Sequence, residues 1–183
     1  MLIAGVLLAL SYVLWFMFES IRFKAKSSKQ TESLSSDKKT FNFYLAARLL
    51  TVYSTAIVPA VWKVTVIWMY IGIGLFIIGV LLRFVAMRTL GKYYSHWVVI
   101  KNDHKVVEEG PYKFVRHPSY LGMLLLNLGF VVFFFNIVSI LLYCLFLVPM
   151  VVWRIIVEEK ALNSLKSYES YSKKRKRLIP FIW

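Results

Sequence analysis

Two short blocks of this sequence concentrate the side chains that could do chemistry. The first, from His104 to Gly122, reads His-Lys-Val-Val-Glu-Glu-Gly-Pro-Tyr-Lys-Phe-Val-Arg-His-Pro-Ser-Tyr-Leu-Gly and sits between strongly apolar segments. The second is Arg154-Ile-Ile-Val-Glu158-Glu159, where a long apolar run gives way to charge. Arg154 and Glu158 are separated by one helical turn and share a helix face. The planar fork of an arginine binds carboxylates at two points. Carboxylates and aromatic faces hold cations. An imidazole or a further carboxylate can take a proton, and His117 and Glu159 are the candidates wherever a reacting acceptor must lose one. Metal chemistry is not expected, because His104 and His117 stand far apart without an HExxH pattern and Cys144 is the sole cysteine. The sequence carries no glycine-rich dinucleotide fingerprint, no P-loop and no serine nucleophile elbow.

Groups of this kind need elements to position them, and those elements belong in a membrane. Of 183 residues, 59% are hydrophobic and only 17% are charged. Residues 1–18, 65–82 and 119–153 carry no charge at all. Crossing a hydrocarbon core takes about 20 residues of helix, so the composition predicts an all-α integral membrane protein with about five transmembrane helices, near 1–18, 43–62, 65–87, 119–135 and 137–157. The second is interrupted by Arg48 and Pro59, and neighbouring helices can satisfy the backbone groups that such a proline frees. The first lacks a basic leader and a small-residue cleavage site and is expected to stay as an anchor. The fourth and fifth form a hairpin that turns at Phe135–Asn136, and the fourth starts just after His117-Pro118 because proline suits a first helical turn. Arg83, near the end of the third, is expected to snorkel to the interface.

Charge orients these spans. Residues 19–42, 88–118 and 158–183 hold six, six and seven basic residues, whereas the opposite turns hold Lys63 alone. By the positive-inside rule the basic segments are cytoplasmic, which puts the N-terminus outside and the C-terminus in the cytoplasm. The chain then divides into 1–87, three helices with a basic loop at 19–42, and 88–183, which carries the reactive blocks. The net charge of +14 lies beside the spans, so the partner expected for it is anionic lipid headgroups, with Lys173–Arg177 lying against them, and no nucleic acid. The hairpin brings the start of helix four to the end of helix five, so Tyr112, Arg116, His117 and Tyr120 converge on Arg154, Glu158 and Glu159 at the cytoplasmic face. Charged groups held at membrane depth mark functional sites by default. The spans lack the acidic residues of an ion relay, which argues against a transporter.

At these residues the chain resembles the isoprenylcysteine carboxyl methyltransferase family, within a wider group that includes membrane phospholipid methyltransferases. The family pattern His-x-Leu-Val-x-x-Gly-x-Tyr-x-x-x-Arg-His-Pro-x-Tyr is matched by His104, Val106, Val107, Gly110, Tyr112, Arg116, His117, Pro118 and Tyr120, with Val106 in place of leucine. The pattern Arg-x-x-x-Glu-Glu is matched by Arg154, Glu158 and Glu159. Tyr168, Tyr171, Arg177 and Pro180 match Tyr-x-x-Tyr followed by Arg-x-x-Pro. Ser164-Leu165 replaces the usual Phe-Gly, and no polar cofactor contact aligns across 97–103. The resemblance implies S-adenosylmethionine as methyl donor and S-adenosylhomocysteine as product, in a cytoplasmic-face pocket built from the 88–118 loop, the helix 4/5 hairpin and the C-terminal segment. It also implies that His104, Lys105, Val106, Val107, Gly110, Tyr112, His117, Pro118, Ser119 and Tyr120 line that pocket, that Glu158 holds the donor, and that Arg154 orients the acceptor. The side-chain types suit this, since the donor's ammonium and sulfonium match carboxylate and aromatic faces.

The activity this implies is carboxyl O-methylation of an isoprenylcysteine-like or other lipophilic acid that enters from the bilayer. An ionised acid needs no general base. The alternatives are methylation of a phospholipid amine, a polyketide hydroxyl or a small thiol, a nicotinamide-dependent membrane reductase, and a non-enzymatic membrane scaffold. The short chain suits a bacterial plasma membrane, or the endoplasmic reticulum if the source is eukaryotic.

Overall fold

The chain's architecture comes from a computed structural model that describes residues 2–27, 35–57, 65–94, 106–179 and 183. Among these the regular elements are helical: α1 Leu2–Ser27, α2 Ser35–Ile57, α3 Val66–Leu90, α4 Pro118–Phe134, α5 Ile137–Leu142, α6 Val148–Leu162 and α7 Lys166–Lys174. Short 3-10 turns follow α3 at Gly91–Tyr93 and precede α4 at Gly110–Lys113. A single π-helical segment, Tyr143–Leu147, joins α5 to α6, so the backbone is helical from Ile137 to Leu162. The cause lies in Pro149, which cannot donate a backbone hydrogen bond and crowds the preceding turn; a wider turn just before it absorbs the mismatch.

Three of these helical stretches are long and apolar enough to cross a membrane, Ile3–Ile21, Val66–Tyr93 and Ile137–Leu162, and Pro118–Phe134 is a shorter apolar helix. Sequence periodicity explains which faces are buried. In α1 the inward side chains Leu8, Tyr12, Trp15 and Glu19 recur every three or four residues, while Ile3, Leu7, Leu10 and Leu14 remain exposed. α4 is the central helix. One flank packs Leu126, Phe130 and Phe133 with Leu8, Tyr12 and Phe76 of α1 and α3. The other packs Met123, Leu124 and Val131 with Tyr44, Val151 and Ile155 of α2 and α6.

α3 and α4 touch through their backbones. Gly72 and Gly79 of α3 face Gly129 and Gly122 of α4, and a Cβ added at Gly79 would lie 2.3 Å from the Leu126 nitrogen. Small residues at matched heptad spacing allow this approach, as is common where lipid-like surroundings supply no hydrophobic drive between helices. The hairpin between α4 and α5 turns where expected. Phe135 adopts a left-handed conformation at φ 46°, and Asn136 caps α5 by accepting from the backbone nitrogens of Val138 and Ser139.

Three expectations are corrected. α1 does not end at the first charge but runs past Glu19, and α2 begins at Ser35, well ahead of residue 43. The remainder of the expected second span, 58–62, lies outside the described residues. Arg83 does not snorkel. It is buried, paired with Glu19, and Arg48 reaches the same carboxylate at 3.0 Å. Glu19 gives both arginines a counterion inside the bundle, so neither charge is buried unpaired, the arrangement that would cost most.

Candidate functional site

The reactive blocks meet where α4 begins and α6 ends. Pro118 opens α4 at its first helical position, which fixes His117 as the residue entering the helix. One turn later the Tyr120 hydroxyl donates to Glu158 Oε2 at 2.8 Å and accepts from Arg154 Nε at 3.0 Å. Arg154 is buried despite its charge, donates through Nη1 to Thr40 Oγ1 at 3.3 Å, and lies 5.4 Å above the Phe41 ring. A cation and an anion, one helical turn apart on α6, are thus joined through a single phenol from α4.

Glu159 faces a different set of partners. Its Oε1 pairs with Arg116 Nη1 at 2.8 Å and with His117 Nε2 at 3.1 Å, and its Oε2 accepts from Arg177 Nε at 2.8 Å. The Tyr168 hydroxyl adds a longer contact at 3.4 Å. Both carboxylate oxygens are therefore engaged in tying the entry to α4 and the C-terminal segment to α6.

That C-terminal segment closes over the block before α4. The backbone nitrogens of Arg116 and His117 donate to the carbonyls of Lys176 and Arg177, each at 2.9 Å, in a short parallel pairing. Arg175 donates to the Lys113 carbonyl and pairs with Glu108 at 3.0 Å. Tyr168 and Tyr171, both buried, face inward from α7, and the Tyr171 hydroxyl donates to the Tyr112 carbonyl at 3.0 Å. Burial pushes the Tyr171 phenol up to about 12. Burial also pushes the Tyr112 phenol well above its ordinary value, and the nearby Glu158 carboxylate adds to the rise. Tyr112 therefore remains a neutral hydrogen-bond donor across the physiological range. Gly110 takes φ 55°, a conformation that favours glycine, and packs against Thr89 at the end of α3.

Of the residues singled out in the sequence, Tyr112, His117, Pro118, Ser119, Tyr120, Arg154, Glu158 and Glu159 come together at this face, with half-buried Val106 and Val107 and the Gly110 turn on its loop side. His104, Lys105, segment 97–103 and Pro180 lie outside the described residues. Sequence reasoning missed the contribution of α2, where Thr40 and Phe41 hold Arg154. It also missed Arg83, which donates to both the carbonyl and the hydroxyl of Ser119. An arginine inside an apolar helix was the available signal for Arg83; nothing in the α2 sequence marks Thr40.

A sequence model of the isoprenylcysteine carboxyl methyltransferase family matches residues 72–164, a stretch that contains most of α3, all of α4 and most of the charged cluster. The chain is 41% identical over 114 residues to the protein-S-isoprenylcysteine O-methyltransferase of Schizosaccharomyces pombe, covering 60% of this chain and 48% of that protein. It is 35% identical over 150 residues to the Saccharomyces cerevisiae protein of the same name, covering 80% of this chain and 55% of that one. The chain thus spans about half the length of the curated relatives it matches. Its fold is similar to the solved structure of a eukaryotic intramembrane Ras methyltransferase, an isoprenylcysteine carboxyl methyltransferase, with a TM-score of 0.65 and 25% identity over 98% of this chain and 68% of that one. That likeness, with the apolar helices, identifies an all-helical integral membrane protein.

Proposed function

The chain belongs to the isoprenylcysteine carboxyl methyltransferase family, and from that premise we propose that it methylates the carboxylate of a lipophilic, isoprenylcysteine-like acid, using S-adenosylmethionine and releasing S-adenosylhomocysteine. The observation that carries this reading is the Arg154–Tyr120–Glu158 chain, with its cation suited to an acid and its anion suited to a positively charged donor. The residues present fit that donor. Glu158 and the Tyr112 and Tyr120 phenols offer an anion and π faces to its cationic groups, and Arg116 Nε is buried without a hydrogen-bond partner, a donor suited to its carboxylate.

When bound, S-adenosylmethionine supplies an electrophilic methyl group. Glu158 holds the donor's ammonium, and Tyr120 fixes the Glu158 carboxylate by donating to it. Arg154 orients the acceptor acid, with its own fork steadied by Thr40, Tyr120 and the Phe41 ring. An acid is already ionised at neutral pH, so no group need remove a proton. Holding nucleophile and methyl in line is then the main demand on the protein, and such positioning can supply about 7–11 kcal/mol of a barrier. We assign His117 and Glu159 to holding the pocket wall, since Arg116, His117 and Arg177 already occupy the Glu159 oxygens. Proton removal by either is required only by an amine, thiol or hydroxyl acceptor.

We place the acceptor's apolar tail in the bilayer, with entry sideways between helices, and the donor's entry on the cytoplasmic side. The exposed Lys173, Lys174 and Lys176 suit contact with anionic headgroups there. The relatives compared are eukaryotic, which favours an endoplasmic-reticulum membrane over a bacterial one. Calorimetry on the purified full chain tests the donor site: saturable binding of S-adenosylmethionine and S-adenosylhomocysteine, weakened about 10- to 100-fold by Glu158→Gln through loss of a charge-assisted contact. Methyl transfer to an S-prenylated cysteine with a free carboxylate, and none to its amide, tests the acceptor. Absence of donor binding by folded wild-type protein would overturn the reading.

A further inference from the structure

The sequence resemblance begins only at His104, and the family model only at residue 72, yet a carboxylate on α1 holds two buried arginines at once. Glu19 continues the inward row of Leu8, Tyr12 and Trp15 on α1 and is 4% exposed. Its Oε2 takes Arg48 of α2 at 3.0 Å, and its Oε1 takes Arg83 of α3, through Nε at 3.1 Å and through Nη2. Each arginine then passes the contact on to α4. Arg83 Nη1 donates to the Ser119 carbonyl at 2.8 Å and to the Ser119 hydroxyl at 3.1 Å. Arg48 Nε donates to the Tyr12 hydroxyl at 2.8 Å, Tyr12 donates to Asn127 Oδ1 at 2.9 Å, and Asn127 donates to the Met123 carbonyl at 2.8 Å.

Stability is a poor explanation for this arrangement. Desolvating ions costs several kcal/mol each, and apolar side chains of equal volume commonly hold helices as well or better. The glycine seam already sets α3 against α4. Two guanidiniums share one carboxylate, and Arg48 Nη2 is buried without a hydrogen-bond partner, so the cluster is not arranged for lowest energy in the described structure. Buried polar groups are best attested as devices that fix one register among several, and ionisable groups at membrane depth mark function by default.

The end point of the relay shows what is being fixed. Ser119 lies between Pro118 and Tyr120, in the first turn of α4, at the face that carries Arg154 and Glu158. A serine hydroxyl has one proton to give. Because Ser119 Oγ accepts from Arg83, that proton remains available, and among the described residues it has no acceptor. We infer that Glu19, acting through Arg83, is a positioning residue for the methyl-donor pocket: it aims the Ser119 hydroxyl as a hydrogen-bond donor to bound S-adenosylmethionine. The inference rests on the function proposed above. It gives the first helix an indirect part in cofactor recognition, through Arg83 and Ser119.

Binding of S-adenosylhomocysteine to the full chain, measured by calorimetry beside a thermal unfolding curve for each variant, tests it. Glu19→Gln and Ser119→Ala are each expected to raise Kd about 10-fold, roughly 1.4 kcal/mol, at temperatures where the protein is fully folded. The double variant should bind no worse than Ser119→Ala alone, because both substitutions remove the same contact. Arg83→Lys keeps a charge for Glu19 but cannot bridge to both Ser119 oxygens, and it should reproduce the Glu19→Gln effect; it serves if Glu19→Gln does not fold. Folded variants with wild-type Kd, additive effects of Glu19→Gln and Ser119→Ala, or failure of both relay variants to fold would each overturn a positioning role. Wild-type protein that binds no S-adenosylhomocysteine would instead overturn the proposed function, and this inference with it.

Discussion

Tyr120 is the residue on which the two halves of the proposed chemistry depend. Its hydroxyl gives its proton to Glu158 and receives one from Arg154, so it has no hydrogen to spare for a third partner. Tyr120→Phe keeps the ring and removes the bridge; donor affinity and turnover should both fall about 10-fold, near the value of one hydrogen bond to a charged group. Arg154→Ala should separate the two quantities. Loss of a buried, hydrogen-bonded charge commonly costs 2–5 kcal/mol, about 30-fold or more, and here it should appear in kcat/KM for the acid while donor Kd stays within about threefold. Steady-state kinetics with calorimetry would check this, and an equal loss in both would refute the division of roles. The residues of this chain of contacts were legible in the sequence, because Arg154, Glu158 and Tyr120 belong to blocks with fixed spacing. The separation of Glu158 from Glu159 was not: adjacent residues on a helix point about 100° apart, and only packing reveals that one meets Tyr120 while the other meets Arg116, His117 and Arg177.

Among the elements, the antiparallel pair α3 and α4 sets how close the bundle is at its centre. Gly79→Ala would press a methyl group against the backbone of Leu126 at 2.3 Å, where no side-chain rotation can relieve the clash. Forced separation of the helices should cost about 1–3 kcal/mol, read as a lower midpoint in thermal or detergent-induced unfolding. Gly74→Ala, on the same helix with nothing within 4 Å of the added carbon, should be neutral or stabilising by about 0.5–1 kcal/mol through helix propensity. Equal effects at both positions would show that the seam is not under close contact. Apolar run length located the helices well where a run ends in a turn, as at Phe135–Asn136, and poorly where a charge ends it. Hydropathy reports contact with lipid, but backbone hydrogen bonding decides helix length. α1 therefore continues through Glu19, and α2, whose inward face carries Thr40, Arg48, Thr51 and Ser54, extends back to Ser35. A buried ion partner turns a charge from a terminator into a packing residue, and one strand of sequence cannot show its partner on another.

At the scale of the whole molecule, α4 runs antiparallel to α3 and to the continuous passage from Ile137 to Leu162, and the contacts fix which ends share a face. Arg154, in the second half of the helical passage from Ile137 to Leu162, meets Thr40 near the start of α2, and Arg83 toward the end of α3 meets Ser119 at the start of α4. These are the ends that border the basic segments, so the cluster and most of the positive charge lie on one side, while the Phe135–Asn136 turn lies on the other. On the proposed orientation, taken from the positive-inside rule, the first side is cytoplasmic, where the proposed water-soluble, cationic methyl donor would enter without crossing the bilayer. With Cys144→Ser as background, Ser170→Cys on the exposed face of α7 should react with an impermeant maleimide only when the cytoplasmic face is outermost in sealed vesicles. Ile137→Cys, exposed beside the hairpin turn, should react only in vesicles of the opposite orientation. The reverse pattern would place the cluster on the non-cytoplasmic side and would require the donor to be transported before it could be used. Labelling of both positions from one side would contradict the antiparallel arrangement itself, since a single helical passage from Ile137 to Leu162 separates the turn from α7.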